Sequence, residues 1–343
     1  MRRAVILLKW ALFALIPSLL LVVGAELVFR SLWINYHAHD PGTAGRFEDG
    51  CYRPSLSRGY EPIPGRCGRN AHGMMARRGD AAKPSGGLRV LVLGDSIADQ
   101  RLWVEVMEAR LQTLRPGFVI DTWNAGVGGY DTCSELNVYL EHGAAADADI
   151  VLLQYCLNDL TLGSAAVMPL GGGRSRLFAG ETYLDLPNLL FRSRLATWAA
   201  LRYGIYEAGR VGIHSRARGF EESGRCLLGL KTAVEAQGAI LRVAAFPPLF
   251  SDEASPKDKA IFHLGYDWGR EVSRDLFDRM GLPALDLAMP LEAHGGLRQF
   301  RHQPDDPWHP DTRGQEILGD ALADWLVQWM PGPMKDEPGP TAP

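Results

Sequence analysis

Residues 88–93 (Leu-Arg-Val-Leu-Val-Leu) form a short apolar run that stops at Gly94-Asp95-Ser96-Ile97. Gly86-Gly87 bounds the run on its other side. A partly β-branched run of this length between glycines predicts a strand covered on both faces. Such a strand needs helices above and below it, so the chain is committed to α/β layers. A serine just past the C-terminal end of that strand lies where open α/β sheets bind their ligands.

The pattern then repeats. Leu102, Val106, Leu111 and Leu114 recur at helical spacing, and Arg115-Pro116-Gly117 stops the helix. Residues 118–123 read as a second strand. It runs into Asn124-Ala125-Gly126-Val127-Gly128-Gly129-Tyr130-Asp131, a glycine-rich loop of the kind that lets backbone approach something closely. The glycines have neither phosphate-loop nor dinucleotide-binding spacing. A helix follows over 132–142. A third strand over 149–155 ends at Cys156-Leu157-Asn158-Asp159, where Asn158 also suits a helix N-cap. Residues 226–237 form a helix stopped by Gly238, and 239–246 a fourth strand ended by Pro247-Pro248. A helix over 261–280, a fifth strand over 284–287 and an amphipathic helix over 317–329 complete the series. Residues 164–219 fit this rhythm least. They suggest a flexible loop around Gly171-Gly172-Gly173 and a helix over 189–208, placed to act as a lid, a substrate wall or surface decoration.

The N-terminus sets a second constraint. Met1-Arg2-Arg3 precedes an apolar stretch over 4–25 whose one charge is Lys9. About 20 such residues span a bilayer as a helix, and the leading arginines favour a cytoplasmic start. The expectation is a membrane anchor over 1–30 with the globular part outside the cytoplasm, periplasmic or extracellular. The alternatives are a signal peptide cleaved at Val23-Gly24-Ala25, giving a secreted protein, or a buried helix. Residues 31–87 read as an extended packing segment, 88–330 as the globular domain, and the Pro-rich 331–343 as a disordered tail. The net charge of −4 comes without a basic stripe, which argues against a nucleic-acid partner. The five cysteines lack C-x-x-C spacing, so a zinc site built on them is not expected. Cys51 and Cys67 flank a Pro/Gly-rich segment and can pair outside the cytoplasm. Cys133, Cys156 and Cys226 read as buried free thiols.

Four blocks in order carry a resemblance to the SGNH (GDSL-type) hydrolases. Gly94-Asp95-Ser96-Ile97 resembles Gly-Asp-Ser-Leu, with Ile97 for Leu. Asn124 with Gly126-Val127-Gly128-Gly129-Tyr130 resembles the second block, Asn158-Asp159 the third, and Asp306-Pro307-Trp308-His309-Pro310 with Gly314 the fourth. Asn70-Ala71-His72-Gly73-Met74 also resembles an Asn-x-x-Gly-Phe-Arg turn of anchored or secreted members; an ordinary surface turn is the other reading. The resemblance implies a flavodoxin-like three-layer sandwich with a five-stranded parallel sheet. It implies Ser96 as nucleophile, His309 as base and Asp306 as its orienting carboxylate, with Asp305 the competitor for that last role. It places the oxyanion hole at the Ser96 and Gly129 backbone N–H groups and the Asn158 amide. Asp95 is expected to structure the turn.

A serine hydroxyl needs a base within hydrogen-bond reach, and a carboxylate three residues before a histidine on a loop can hold that base's tautomer. The α/β-hydrolase Gly-x-Ser-x-Gly elbow is absent. The expected activity is hydrolysis of a carboxylic ester through an acyl-enzyme, without cofactor or metal, on an O-acetyl group of a cell-surface carbohydrate. O-acyl transfer to a polysaccharide, lysophospholipase or lipase action, and non-catalytic glycan binding or assembly are the alternatives.

Overall fold

The computed structural model describes residues 2–32, 50–55, 58–156, 159, 167–171, 174–179, 182–187, 189, 193, 195–196, 199, 216–249, 266–304, 306 and 308–330. The expected helix over 189–208 and the tail from 331 fall largely or wholly outside these residues. The chain divides into two compact units, Pro62–Ser164 with Ile213–Pro343, and Met1–Glu61 with Ala165–Gly212.

The first of these is built on a six-stranded sheet. In chain order its strands are β3 (Met75–Ala76), β4 (Leu88–Leu93), β5 (Ile120–Asn124), β6 (Ile150–Tyr155), β10 (Ile240–Ala245) and β11 (Ala284–Asp286). Their spatial order is β11-β10-β6-β4-β5-β3. Five strands are parallel, and β3 joins β5 antiparallel at one edge. The expected all-parallel five-stranded sheet is therefore a mixed sheet of six. Two residues are too short to show alternation, so β3 left no period within the segment read as a linker. All residues of β4, β5 and β6 are buried.

The helices follow their apolar spacing. α2 is Ser96–Asp99, α3 Leu102–Leu114, α4 Thr132–Val138, α5 Arg216–Ala236, α6 Tyr266–Arg279, α7 Ala288–Ala293 and α8 Thr312–Leu326. The helix expected over 132–142 changes to a π-turn at Tyr139–Gly143. α8 starts five residues before the expected 317, because Asp311 caps it by accepting from Gly314 N–H at 2.7 Å. Trp103, Met107 and Leu111 of α3 share a buried cluster with Leu318, Leu322 and Leu326 of α8 and with Val90 and Val92 of β4.

Cys133 on α4 and Cys226 on α5 form a disulfide with Cα atoms 5.0 Å apart, which corrects the reading of both as free thiols. Ninety-three residues separate them, so the pairing follows from the packing of α4 on α5 and is invisible in spacing. Cys51 and Cys67 are also disulfide-bonded, while Cys156 is a buried thiol outside any disulfide.

The second unit holds α1 (Arg2–Leu32), the paired strands β1 (Tyr52–Ser55) and β2 (Gly59–Pro62), and the antiparallel meander β7 (Val167–Gly171), β8 (Arg174–Ala179) and β9 (Thr182–Pro187). Of the flexible loop expected around 171–173, Gly171 ends β7, and residues 172 and 173 lie outside the described residues. On α1, Trp10, Phe13, Leu15, Leu19, Leu20 and Leu21 are exposed. Glu26 accepts from Ser193 Oγ at 2.7 Å and Leu195 N–H at 2.9 Å. Among the described residues no helix is long and apolar enough to cross a membrane; within α1, side chains are described for Trp10, Phe13 and residues 15–28 alone.

One buried ion pair locks the N-terminal ends of β4 and β5. Arg89 donates to Asp121 Oδ2 at 2.8 Å and to the Ala146 and Ala81 carbonyls, each at 2.8 Å, with its guanidinium 4.5 Å from the centre of the Trp123 ring. Both side chains are almost fully buried, so removing Asp121 leaves the Arg89 charge buried with only neutral partners. Asp121→Ala is expected to cost about 3–5 kcal/mol in urea unfolding, and Asp121→Asn, which keeps an acceptor, clearly less.

Candidate active site

Parallel pairing brings three strand ends together. Val92 of β4 lies in register with Asn124 of β5, and Leu93 with Leu153 of β6. The loops after β4 and β5 leave the sheet side by side, tied by Ala125 N–H to Val92 O (2.8 Å) and Val127 N–H to Gly94 O (3.1 Å).

Ser96 opens α2. Asp95 caps it by accepting from Ile97 N–H at 2.8 Å, which is the turn-building role expected of Asp95. Gln154, fully buried in β6, holds the same turn from below. Its Oε1 accepts from Asp95 N–H at 2.9 Å and from Ala98 N–H at 3.3 Å. Ser96 N–H stands at the first position of the helix, where no intrahelical acceptor exists.

His309 lies 213 residues further on. Its Nε2 is 2.7 Å from Ser96 Oγ, and its Nδ1 is 2.7 Å from Asp306 Oδ2. A carboxylate accepts only, so Nδ1 carries the ring proton and Nε2 is free to accept from the Ser96 hydroxyl. Asp306 is fixed in turn, accepting at Oδ1 from Trp308 N–H (2.9 Å) and His309 N–H (3.2 Å). Burial raises the Asp306 carboxyl, but the Trp308 N–H, the His309 ring and the His309 N–H outweigh it and hold the group below the usual carboxylate range. The loop is closed by His302 N–H to His309 O (2.8 Å) and Asp311 N–H to Phe300 O (2.6 Å). Gln100 Nε2, just past α2, donates to Pro310 O at 3.3 Å and ties the histidine loop to the serine helix.

Gly129 sits in the turn after Val127 with left-handed backbone (φ +82°), a conformation that favours glycine. Gly126 packs so closely on α2 that a β-carbon there would lie 2.5 Å from Ala98 Cβ. The structure therefore brings Ser96, His309 and Asp306 into one hydrogen-bonded line and places the Gly129 loop against the serine helix. Asn158 and Asp305 lie outside the described residues.

Behind the serine turn is a buried acidic cluster that spacing did not reveal. Asp159 accepts from Thr132 Oγ1 at 2.7 Å and Cys156 N–H at 2.8 Å, and the Cys156 thiol donates to Asp95 at 3.2 Å. Glu135, on α4, is fully buried, and neither of its carboxyl oxygens has a hydrogen-bond partner. Burial, then the charges of Asp159, Asp95 and Asp131, push Glu135 well above the usual carboxylate range. Burial also pushes Asp159 well up; the Cys156 N–H opposes it, Asp95 adds to it, and Thr132 opposes it again. Gln154 did carry a signal, as a polar residue inside an otherwise apolar strand. Glu135 carried none, since one glutamate in a short helix is ordinary.

A cavity of about 420 Å³ opens at the ends of β6, β10 and β11 between Tyr155, Cys156, Phe246, Arg270, Phe277 and Asp286. It does not include Ser96, His309 or Asp306. No group of three or more metal-ligating side chains is found among the described residues.

The chain belongs to the GDSL-like lipase/acylhydrolase family, whose sequence pattern matches residues 92–317. Ester hydrolysis is the activity of that family, and the chain has its α/β SGNH hydrolase fold, here with a mixed sheet. A GDSL-like lipase from Parabacteroides merdae is 12% identical, with a TM-score of 0.45 over 71% of this chain and 96% of its own. An acetylxylan esterase from Geobacillus stearothermophilus is 15% identical, with a TM-score of 0.45 over 73% of this chain and 100% of its own. A carbohydrate acetylesterase from Sinorhizobium meliloti is 15% identical, with a TM-score of 0.41 over 71% and 100%. No curated protein matches the chain.

The cluster gives a pH dependence of definite sign. Glu135 has a folded-state pKa above its unfolded one, so the folded protein binds the extra proton. Its contribution to stability is full below the unfolded value, about 4.3, and is lost as pH rises toward the folded one. Glutamine is isosteric with the protonated acid. Glu135→Gln is therefore expected to raise the melting temperature at pH 8 relative to wild type, and to change it little near pH 4, in thermal denaturation at both values.

Proposed function

We propose that Ser96 is the nucleophile of a serine esterase that works through an acyl-enzyme. The supporting observation is the single line from Ser96 Oγ through the His309 ring to Asp306, with 2.7 Å at each contact. His309 Nε2 takes the hydroxyl proton as Oγ attacks the ester carbonyl carbon. Asp306 stabilises the imidazolium and keeps its orientation. The proton then passes to the departing alkoxide, and the acyl group remains on Ser96. Water, deprotonated by the same ring, releases the carboxylic acid and restores the serine. The tetrahedral intermediates carry their charge on the former carbonyl oxygen. The Ser96 and Gly129 backbone N–H groups and the Asn158 amide receive it by family resemblance, each contributing on the order of 10²–10³ in rate.

The substrate we propose is an O-acetyl ester on a cell-surface carbohydrate. α1 exposes large apolar side chains over several turns, which supports an anchor through residues 4–25. The Cys133–Cys226 disulfide supports an oxidising compartment for the catalytic unit, outside the cytoplasm, where such glycans are within reach.

The test is hydrolysis of p-nitrophenyl esters from acetyl to palmitoyl by the full chain in detergent, with Ser96→Ala beside it. Acetyl ester is expected to turn over fastest, and the variant to lose at least about 10³-fold with its circular dichroism unchanged. Turnover retained in Ser96→Ala would remove Ser96 from the mechanism. A palmitoyl preference would move the substrate to lipid, and acyl transfer to an added sugar in place of hydrolysis would make the protein a transferase.

A further inference from the structure

The segment ahead of the sheet reaches into the site through one side chain. Arg69 is 6% exposed and directs its guanidinium toward the serine helix. Nη2 donates to Asp99 Oδ1 at 2.9 Å and to the Gly126 carbonyl at 3.2 Å, while Nη1 donates to the Gly73 carbonyl at 3.1 Å. Asp99 is the last residue of α2, whose first is Ser96. Gly126 lies three residues before Gly129 in the loop after β5. A single guanidinium nitrogen therefore joins the element that carries Ser96 N–H to the loop that carries Gly129 N–H.

The surrounding structure fixes where that nitrogen lies. Asn70 Oδ1 accepts from His72 N–H at 2.9 Å and Met74 N–H at 3.0 Å, closing the turn. Arg69 and Met75 form an antiparallel bridge across the turn, and Met75 lies in register with Asn124 at the end of β5. The turn is thus docked on the sheet edge beside the site. Gly126 is held through both of its peptide groups, since its N–H donates to Asn124 Oδ1 at 2.8 Å and its carbonyl accepts from Arg69 at 3.2 Å. Asn124 in turn donates to Ala98 O of α2 at 2.8 Å.

We propose that Arg69 is a positioning residue that sets the separation between the Ser96 and Gly129 N–H groups, and through it the geometry of oxyanion stabilisation. The proposal rests on the esterase reading. An oxyanion forms only in the transition state and intermediate, so a displaced donor lowers kcat and leaves ground-state binding nearly unchanged. A misplacement of about 1 Å can cost 10²-fold. Lysine cannot replace Arg69, because one ammonium nitrogen has to serve acceptors that the planar fork reaches with two nitrogens.

The experiment is steady-state hydrolysis of p-nitrophenyl acetate by the full chain and its Arg69→Lys, Asp99→Ala and double variants. Arg69→Lys is expected to lower kcat by about 10–100-fold with KM changed by less than about threefold. Asp99→Ala attacks the same contact from its more exposed end, and is expected to lower kcat less. The double variant is expected to be no slower than Arg69→Lys, because both remove one link. Asp121→Asn is the control, since it loosens the sheet at the end away from the site and is expected to leave kcat unchanged. If Arg69→Lys misfolds by circular dichroism, Asp99→Ala decides alone, and wild-type kcat in it overturns the proposal. Unchanged kcat in a folded Arg69→Lys, or a loss confined to KM, overturns it while the esterase reading stands. A wild-type protein that cleaves no ester overturns both.

Discussion

The site depends on the parallel pairing of Leu88–Leu93 with its two neighbours. That pairing brings the ends of β4, β5 and β6 level, so the loops leaving them meet over a few ångströms. Backbone hydrogen bonds between the loops and the Gln154 carbonyl beneath them then convert a sheet edge into a rigid platform. The serine needs no flexible search for its partners on this side. Only the histidine comes from far along the chain, and Gln100 ties its loop to the helix that Ser96 begins.

The platform is polar on an apolar base, and its charges are arranged unequally. At the far end of β4 the buried Arg89 is matched by Asp121 and carbonyl oxygens. Behind the serine, the charges of Asp95 and Asp131 raise the buried Glu135 and Asp159 carboxyls. Burial and mutual repulsion there favour the protonated forms of Glu135 and Asp159. The thiol of Cys156 contributes as well, as a donor to Asp95.

Much of this was legible in the chain, for identifiable reasons. Strands β4, β6 and β10 were visible because each is a short, largely apolar run closed by glycine, a polar turn or proline. Ser96, Gly129, Asp306 and His309 stood out through the resemblance of their sequence blocks to those of the SGNH hydrolases, and their roles rest on the ester-hydrolase reading. What stayed hidden is two residues long or remote in sequence. β3 has no period to detect, Arg69 is one arginine in a segment with many, and the Cys133–Cys226 bond joins helices 93 residues apart.

The disulfide has a topological consequence. Residues 165–212, which pack with the N-terminal unit, leave and rejoin the catalytic unit inside the covalent ring closed by Cys133 and Cys226. The excursion is thus a bight in a stapled cord. Lengthening it changes the closure entropy only logarithmically, by roughly 0.6 kcal/mol for each doubling of the ring. A protease that severs it leaves two fragments still bonded through α4 and α5. The excursion can thus change in length or be cut while the platform under Ser96 stays stitched together.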